Sequence, residues 1–276
     1  MTASVLITGA SSGIGRATAR HLARREDLTV YATARRPETL EPAGPGIHPL
    51  ALDVTDEESM RAAVKHIEER HGSVGALVNN AGYGQYGTVE ETDMQAVRRQ
   101  FETNVFGPAR LAQLVLPGMR RAGGGRIVNI GSMGGRLVFP VGGYYHASKY
   151  AVEALSDALR FEAAPFGVKV SLVEPGLIRT GFEDTASGTL ADSAGDDSVY
   201  AALNEAVGRR MADSYRSRLL AVGPDAVATV VKRAVTARRP RTRYVVTPAA
   251  VALVHTRRLL GGRAFDAYLR LQFGKV

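Results

Sequence analysis

Tyr145 and Lys149 stand four residues apart in Tyr144-Tyr145-His146-Ala147-Ser148-Lys149, so on a helix both side chains leave one face. An ammonium ion that close favours phenolate over phenol and draws a pKa of about 10 downward, which makes Tyr145 a candidate general acid and base. Upstream, Gly125-Arg126-Ile127-Val128-Asn129-Ile130 reads as a buried strand, and Ser132 follows where it ends. Ligands of open α/β sheets bind beyond the carboxyl ends of the strands, so the Ser132 hydroxyl is placed to meet one. His146 adjoins Tyr145, but adjacent helical residues do not share a face, and no catalytic role falls to it.

A second constellation lies near the N-terminus. The apolar run Ser4-Val5-Leu6-Ile7 leads into Thr8-Gly9-Ala10-Ser11-Ser12-Gly13-Ile14-Gly15, and a helical pattern covers residues 13 to 26. Gly9 permits a sharp turn, Gly13 lets a ligand approach bare backbone, and Gly15 lets the helix pack on the strand. The helix start then offers unpaired N–H groups and a positive dipole to a dinucleotide pyrophosphate. About twenty residues on, the acidic side chain that would take a ribose 2′-hydroxyl is missing. Ala34 stands there, followed by Arg35 and Arg36. A guanidinium pairs with a 2′-phosphate, so NADP(H) is the expected cofactor and NAD(H) the alternative.

The elements that must position these residues alternate along the chain. Strands are expected near residues 3–8, 28–33, 47–52, 76–79, 126–130, 168–174 and 243–247, separated by longer helical stretches, which gives a parallel sheet wrapped by helices. A chain of 276 residues, 45% hydrophobic, buries one large core without a second domain. It has no cysteine, which excludes disulfides and thiolate metal sites, and its six histidines match no ligand spacing, so no metal is expected. There is no cleavable leader pattern and no run of membrane-span length, and a cytoplasmic location is expected. No nucleic-acid-binding motif accompanies the basic charge.

In this order the motifs resemble the short-chain dehydrogenase/reductase family over roughly residues 3 to 182. Thr8 to Gly15 matches its Thr-Gly-x-x-x-Gly-x-Gly turn, Asn79-Asn80-Ala81-Gly82 its Asn-Asn-Ala-Gly, and Tyr145 to Lys149 its Tyr-x-x-x-Lys. Pro175-Gly176, with Thr180 beyond, matches its Pro-Gly pair. The resemblance implies a single-domain Rossmann-like α/β fold, a doubly wound parallel sheet of about seven strands with a C-terminal helical extension. It implies hydride transfer between NADP(H) and a ketone or secondary alcohol, with Asn104, Ser132, Tyr145 and Lys149 catalytic. Ser132 would hydrogen-bond the carbonyl oxygen and Tyr145 exchange its proton, while Lys149 binds the nicotinamide ribose and holds the Tyr145 pKa down. Asn104 would support the helix backbone and a water chain. The implied cofactor contacts are Gly9, Ser11, Ser12, Gly13, Ile14, Gly15, Arg35, Arg36, Asp53 and Val54, then Asn80, Ala81 and Gly82. Tyr145, Lys149, Pro175, Gly176, Ile178 and Thr180 complete them, with Asp53 at the adenine and Ile178 at the carboxamide.

The cofactor strand, the Tyr-Lys neighbourhood and the long C-terminal region look most like the 17β-hydroxysteroid and retinol dehydrogenase branch, which implies a lipophilic, steroid- or retinoid-like substrate. An acyl-thioester ketoreductase and a non-catalytic NADP-binding sensor are the alternatives; a sugar-nucleotide epimerase has a differently spaced turn. Family members pair through the helices carrying Asn104 and Tyr145, which implies a homodimer or homotetramer, and the apolar stretch 151–166 is compatible with that face.

Substrate choice is expected in residues 182–222, whose Ser-, Gly- and Asp-rich part 184–197 reads as a mobile lid. Arg209, Arg210, Arg216 and Arg218 follow on a helical stretch, expected to face solvent. From Lys232 to the end, eleven lysines and arginines face one acid, Asp266, leaving the rest of the chain at −2 of a total +8. Residues 1–247 are thus expected to form the catalytic domain and 248–276 a basic helical extension of it, broken at Gly261-Gly262. Such an extension can cover the pocket, which is the favoured reading, or meet an anionic membrane or an acidic protein.

Overall fold

The computed structural model describes residues 3–40, 46–193 and 197–273. Seven parallel strands form its main sheet: β1 (Ala3–Ile7), β2 (Leu28–Ala34), β3 (Ile47–Ala51), β4 (Ala76–Asn79), β5 (Gly125–Ile130), β6 (Val168–Glu174) and β9 (Arg243–Val245). These are the seven strands expected from the sequence. A separate two-stranded ribbon pairs β7 (Leu177–Ile178) with β8 (Ala221–Val222). The main order is β3-β2-β1-β4-β5-β6-β9, so the chain runs outward from β1 and then returns to its other side. That reversal puts a crevice between the carboxyl ends of β1 and β4, where doubly wound sheets bind ligands.

Helices cover both faces because the central strands are apolar on both sides. One face packs on α1 (Gly13–Ala23) and α8 (Pro224–Thr236) through Leu22, Val227 and Val231. The other packs on α2 (Glu57–His71), α4 (Gly107–Arg121) and α5 (Gly143–Ala163), with Ile67, Leu111 and Val115 fully buried. Between the sheet's return strand and α4 lie α3 (Met94–Phe101) and a π-helical turn, Glu102–Phe106.

One expectation changes. The segment read as a mobile lid is helical: α6 (Phe182–Ser193) precedes α7 (Ala201–Arg216), while 194–196 lie outside the described residues. Its small polar side chains dock rather than loosen it. Thr189 Oγ1 donates to the Gly84 carbonyl at 3.1 Å and accepts from the Tyr86 N–H at 3.0 Å, and Ser193 Oγ donates to the Tyr86 carbonyl at 3.1 Å. The charge of the basic tail divides between the two ends of the sheet. Arg238, Arg239 and Arg241 precede β9 at the amino end of the sheet, whereas α9 (Pro248–Phe273) follows it at the carboxyl end, and Arg243 between them is consumed by internal ion pairs. α9 bends back on itself at Gly261, whose φ of +70° suits glycine. Its Ala250, Val254 and Phe265 pack with Met133 and Leu137 just after β5, so the extension is part of the catalytic end of the molecule.

Candidate active site

The glycine turn closes against β4. Gly9 has φ +63°, and a Cβ there would lie 2.9 Å from Ala81 Cα, so no larger residue keeps the turn. At Gly15 a Cβ would lie 2.6 Å from the Asn80 amide nitrogen. Asn80 Nδ2 donates to the carbonyls of Thr8 and Gly9 at 2.9 and 3.0 Å, and Thr8 Oγ1 accepts the N–H groups of Asn80 and Ala81, both at 2.9 Å. Ser12 occupies the N-cap of α1 in extended conformation, yet its side chain makes no cap hydrogen bond. The first N–H groups of α1 are therefore left for a ligand, which fits a pyrophosphate.

A cavity of about 1200 Å³ runs from this turn to α7 and α9. Gly9, Ser11, Ser12, Gly13, Ile14, Arg35, Asp53, Val54, Asn80, Ala81, Gly82, Pro175, Gly176, Ile178 and Thr180 all line it. Gly15 lies behind the turn, and Arg36 is exposed away from the cavity, so Arg35 alone of the two arginines faces it. Arg35 has no carboxylate partner among the described residues.

At the cavity's middle stand Ser132, Tyr145 and Lys149, all buried and all in its wall. Ser132 N-caps the 3₁₀ turn Met133–Gly135, its Oγ accepting the Gly134 N–H at 3.0 Å, and its side chain is close enough to Tyr145 to draw the phenol's pKa down. Lys149 Nζ donates to the Ile130 carbonyl at 3.0 Å and lies 6.0 Å from the Tyr145 ring centre. Asn104 sits in the π-helical turn, a distortion often found at functional sites. Its Oδ1 accepts the Tyr83 N–H at 3.1 Å, and its Nδ2 donates to the Tyr83 carbonyl at 2.9 Å and Ser148 Oγ at 3.1 Å. Asn104 thereby ties α5 to the loop after β4 without lining the cavity.

The electrostatics correct one expectation. Burial pushes the Tyr145 phenol up to about 12, against which the Ser132 side chain works, and pushes Lys149 down to about 8. Proximity to Lys149 does not make Tyr145 a phenolate here: the ammonium is held on Ile130, and loss of water dominates. His146 proves structural. Its Nδ1 donates to the Gly134 carbonyl at 2.9 Å and its Nε2 accepts the Phe139 N–H at 3.2 Å, latching the loop after Ser132 to α5; burial holds it neutral, its pKa pulled down to about 4.

Aromatic side chains that no motif announces surround the phenol. Tyr86 stacks on Tyr145 with ring centres 5.7 Å apart, Phe182 packs tilted against Tyr145 at 5.4 Å, and Tyr215 of α7 lines the same cavity. Phe139, Leu177, Leu253 and Phe273 extend the apolar wall.

The short chain dehydrogenase family model matches residues 3–190, which contain the turn, Ser132, Tyr145 and Lys149. The chain belongs to the short-chain dehydrogenase/reductase family. It is 38% identical to the uncharacterized oxidoreductase YbbO of Escherichia coli K12, over 98% of this chain and 95% of that protein. It is 36% identical to human 17-beta-hydroxysteroid dehydrogenase type 1, over 92% of this chain and 80% of the human protein. A short-chain dehydrogenase structure from Streptomyces avermitilis superposes with a TM-score of 0.80 at 35% identity, covering 98% of this chain and 95% of that one. As a short-chain dehydrogenase/reductase, the chain is an NAD(P)-dependent oxidoreductase acting on CH–OH groups. No helix among the described residues is long and apolar enough to cross a membrane.

Proposed function

We propose that this protein interconverts a lipophilic ketone and its secondary alcohol with NADP(H). The observation that carries this reading is the meeting of the Ser132 and Tyr145 hydroxyls in the wall of an apolar cavity continuous with the glycine turn. The cofactor supplies or accepts the hydride. The α1 amides and Gly9 to Gly13 would hold its pyrophosphate, Arg35 its 2′-phosphate, Asp53 and Val54 its adenine, Lys149 its ribose, and Ile178 and Thr180 its carboxamide. Ser132 Oγ donates to the substrate oxygen and Tyr145 delivers the proton from its hydroxyl. Burial raises the pKa of the phenol, so Tyr145 carries the proton it delivers at neutral pH. Asn104, by fixing α5, keeps Tyr145 and Lys149 on the cavity. The preference for the 2′-phosphate rests on Arg35, which lines the cavity directly after Ala34, the position where an acidic ribose-binding side chain would stand.

The outer face of α5 supports a homodimer or homotetramer. Leu155 and Phe161 project from it into solvent, Phe161 with 87% of its surface exposed.

The test is NADPH oxidation over a panel of steroid, retinoid, aliphatic ketone and acyl-thioester substrates, with Tyr145→Phe as the blank. Tyr145→Phe is expected to lower kcat by about 10²- to 10⁴-fold while cofactor binding stays. Arg35→Asp is expected to raise the NADPH KM by about 10- to 100-fold and the NADH KM far less. Turnover that survives Tyr145→Phe, or equal weakening of the two cofactors, refutes the corresponding part of the reading.

A further inference from the structure

α7 carries three arginines, and its periodicity sorts them. Val207, Arg210, Met211, Ser214 and Tyr215 all line the cavity. Their spacing of three, four, seven and eight residues is that of one helical face. Arg209 and Arg216 fall off this face and pair with acids of their own helix, Arg209 with Glu205 and Arg216 with Asp213 at 3.9 Å. Arg210 has no acidic partner among the described residues; its Nη2 donates to the amide oxygen of Gln272, which reaches across from the end of α9. A neutral amide satisfies one of five guanidinium N–H donors and none of the charge.

Apolar side chains share the cavity with Arg210: Val207 and Met211 of the same helix, Leu220, Leu253, Tyr268, and Phe273, which packs with the Val207 cluster. Arg210 itself is exposed at the edge of the cavity, and its guanidinium fork fits the two oxygens of a carboxylate or similar oxyanion at once. Tyr215 lies five residues further along α7, about 7–8 Å along its axis, and faces Tyr145.

We infer that Arg210, backed by Gln272, is an anion subsite of the substrate pocket, and that the substrate is an amphiphilic keto acid: an apolar body with its carbonyl at Ser132 and Tyr145 and an anionic oxygen head group at Arg210. The inference rests on the ketone-reductase reading of the same cavity. The separation along α7 sets the distance from carbonyl to head group at on the order of 10 Å. Arg210 is exposed, as expected for the arginines of this stretch, and it also lines the cavity and links α7 to α9 through Gln272.

The test measures binding by calorimetry in the presence of NADP⁺, so it does not depend on turnover. The probes are an oxo-alkanoate with carbonyl and carboxylate about 10 Å apart and its neutral primary amide. The carboxylate is expected to bind about 10- to 100-fold tighter than the amide. Arg210→Gln is expected to bring that ratio to about one, and Gln272→Glu, which places a carboxylate against Arg210 with little change in size, to reduce it likewise. Arg209→Gln, on the outer face, is expected to keep the wild-type ratio. Because each result is a ratio within one protein, partial misfolding of a variant does not mimic it. A ratio near one in the wild type, or one that survives Arg210→Gln, overturns the subsite. Neutral ketones turned over with Tyr145 dependence while neither probe binds also overturns it and leaves the reductase reading standing. Arg210-dependent carboxylate binding with no Tyr145-dependent turnover of any ketone sustains the subsite and removes the reductase.

Discussion

Lys149 must keep a positive charge where burial works against it, and this sets a pH dependence. Its pKa is pulled down to about 8 by loss of water, whereas that of Tyr145 is pushed up to about 12. Below about pH 8 Lys149 is charged and can hold a ribose hydroxyl; above it the amine is neutral. Tyr145 keeps its proton throughout that range, so its own titration does not enter. The kcat/KM for NADPH-driven ketone reduction is therefore expected to be level below about pH 8 and to fall above it, by up to tenfold per pH unit. Lys149→Met should remove the break along with most of the activity. A profile level up to pH 10 in the wild type would show that the Lys149 charge takes no part. The candidate side chains Ser132, Tyr145 and Lys149 were legible in the sequence because helical spacing and a strand end place them without knowledge of the rest, whereas Asn104 came only through the family resemblance. Their pKa values were not, since desolvation depends on Tyr86, Phe182 and Tyr215, which arrive from three other segments.

At the scale of elements, the loop after β5 is held by a charge network that joins β6, β9 and α5. Glu174, with none of its side chain exposed, pairs with Arg136 at 3.3 Å and with Arg243 at 3.2 Å, and Arg243 also reaches Glu153 at 3.1 Å and Asp157 at 2.6 Å. Burial and the neighbouring Glu174 charge raise Glu153 to about 7. Replacing Arg243 by Met leaves two buried carboxylates facing each other, which is expected to destabilise the protein by about 3–5 kcal/mol in urea unfolding at pH 8. The sign of the pH effect follows from the raised folded pKa: protonation of Glu153 favours the folded state, so the deficit should shrink on going from pH 8 to pH 5. A deficit independent of pH would mean that Glu153 does not feel Arg243. None of this could be read from the chain, because Glu174 ends an ordinary apolar strand and its partners are 38 and 69 residues away in sequence. The seven strands were readable, since β-branched runs bounded by glycine leave little else. The helix α6 was not: serine, glycine and aspartate favour loops locally, and only docking on Gly84 and Tyr86 makes a helix of them.

On the scale of the whole molecule, the question is whether the basic C-terminal region is an appendage or part of the catalytic body. Its charge divides between the two ends of the sheet, and Ala250, Val254 and Phe265 point inward while Val251, Leu259, Leu260 and Leu271 are exposed. Phe265 is 1% exposed and Val254 4%, packed with Leu137 of the loop that carries Ser132. Arg257 lies over the Phe265 ring at 5.4 Å, so even one of the charges serves this packing. A detachable membrane or protein anchor would keep its apolar residues for the partner, whereas here the three most buried residues of α9 roof the pocket end of the fold. Phe265→Ala opens a cavity beneath α9, and the expected loss is about 3–5 kcal/mol. It should appear as a lower thermal midpoint and as an increased KM for the ketone, because Leu253, Tyr268 and Phe273 on the same helix line the cavity. The NADPH KM is expected to change little, as the glycine turn lies at the opposite end of that cavity. An unchanged thermal midpoint with unchanged kinetics would make α9 an appendage after all, and attention would pass to the exposed Leu259 and Leu260 at its bend.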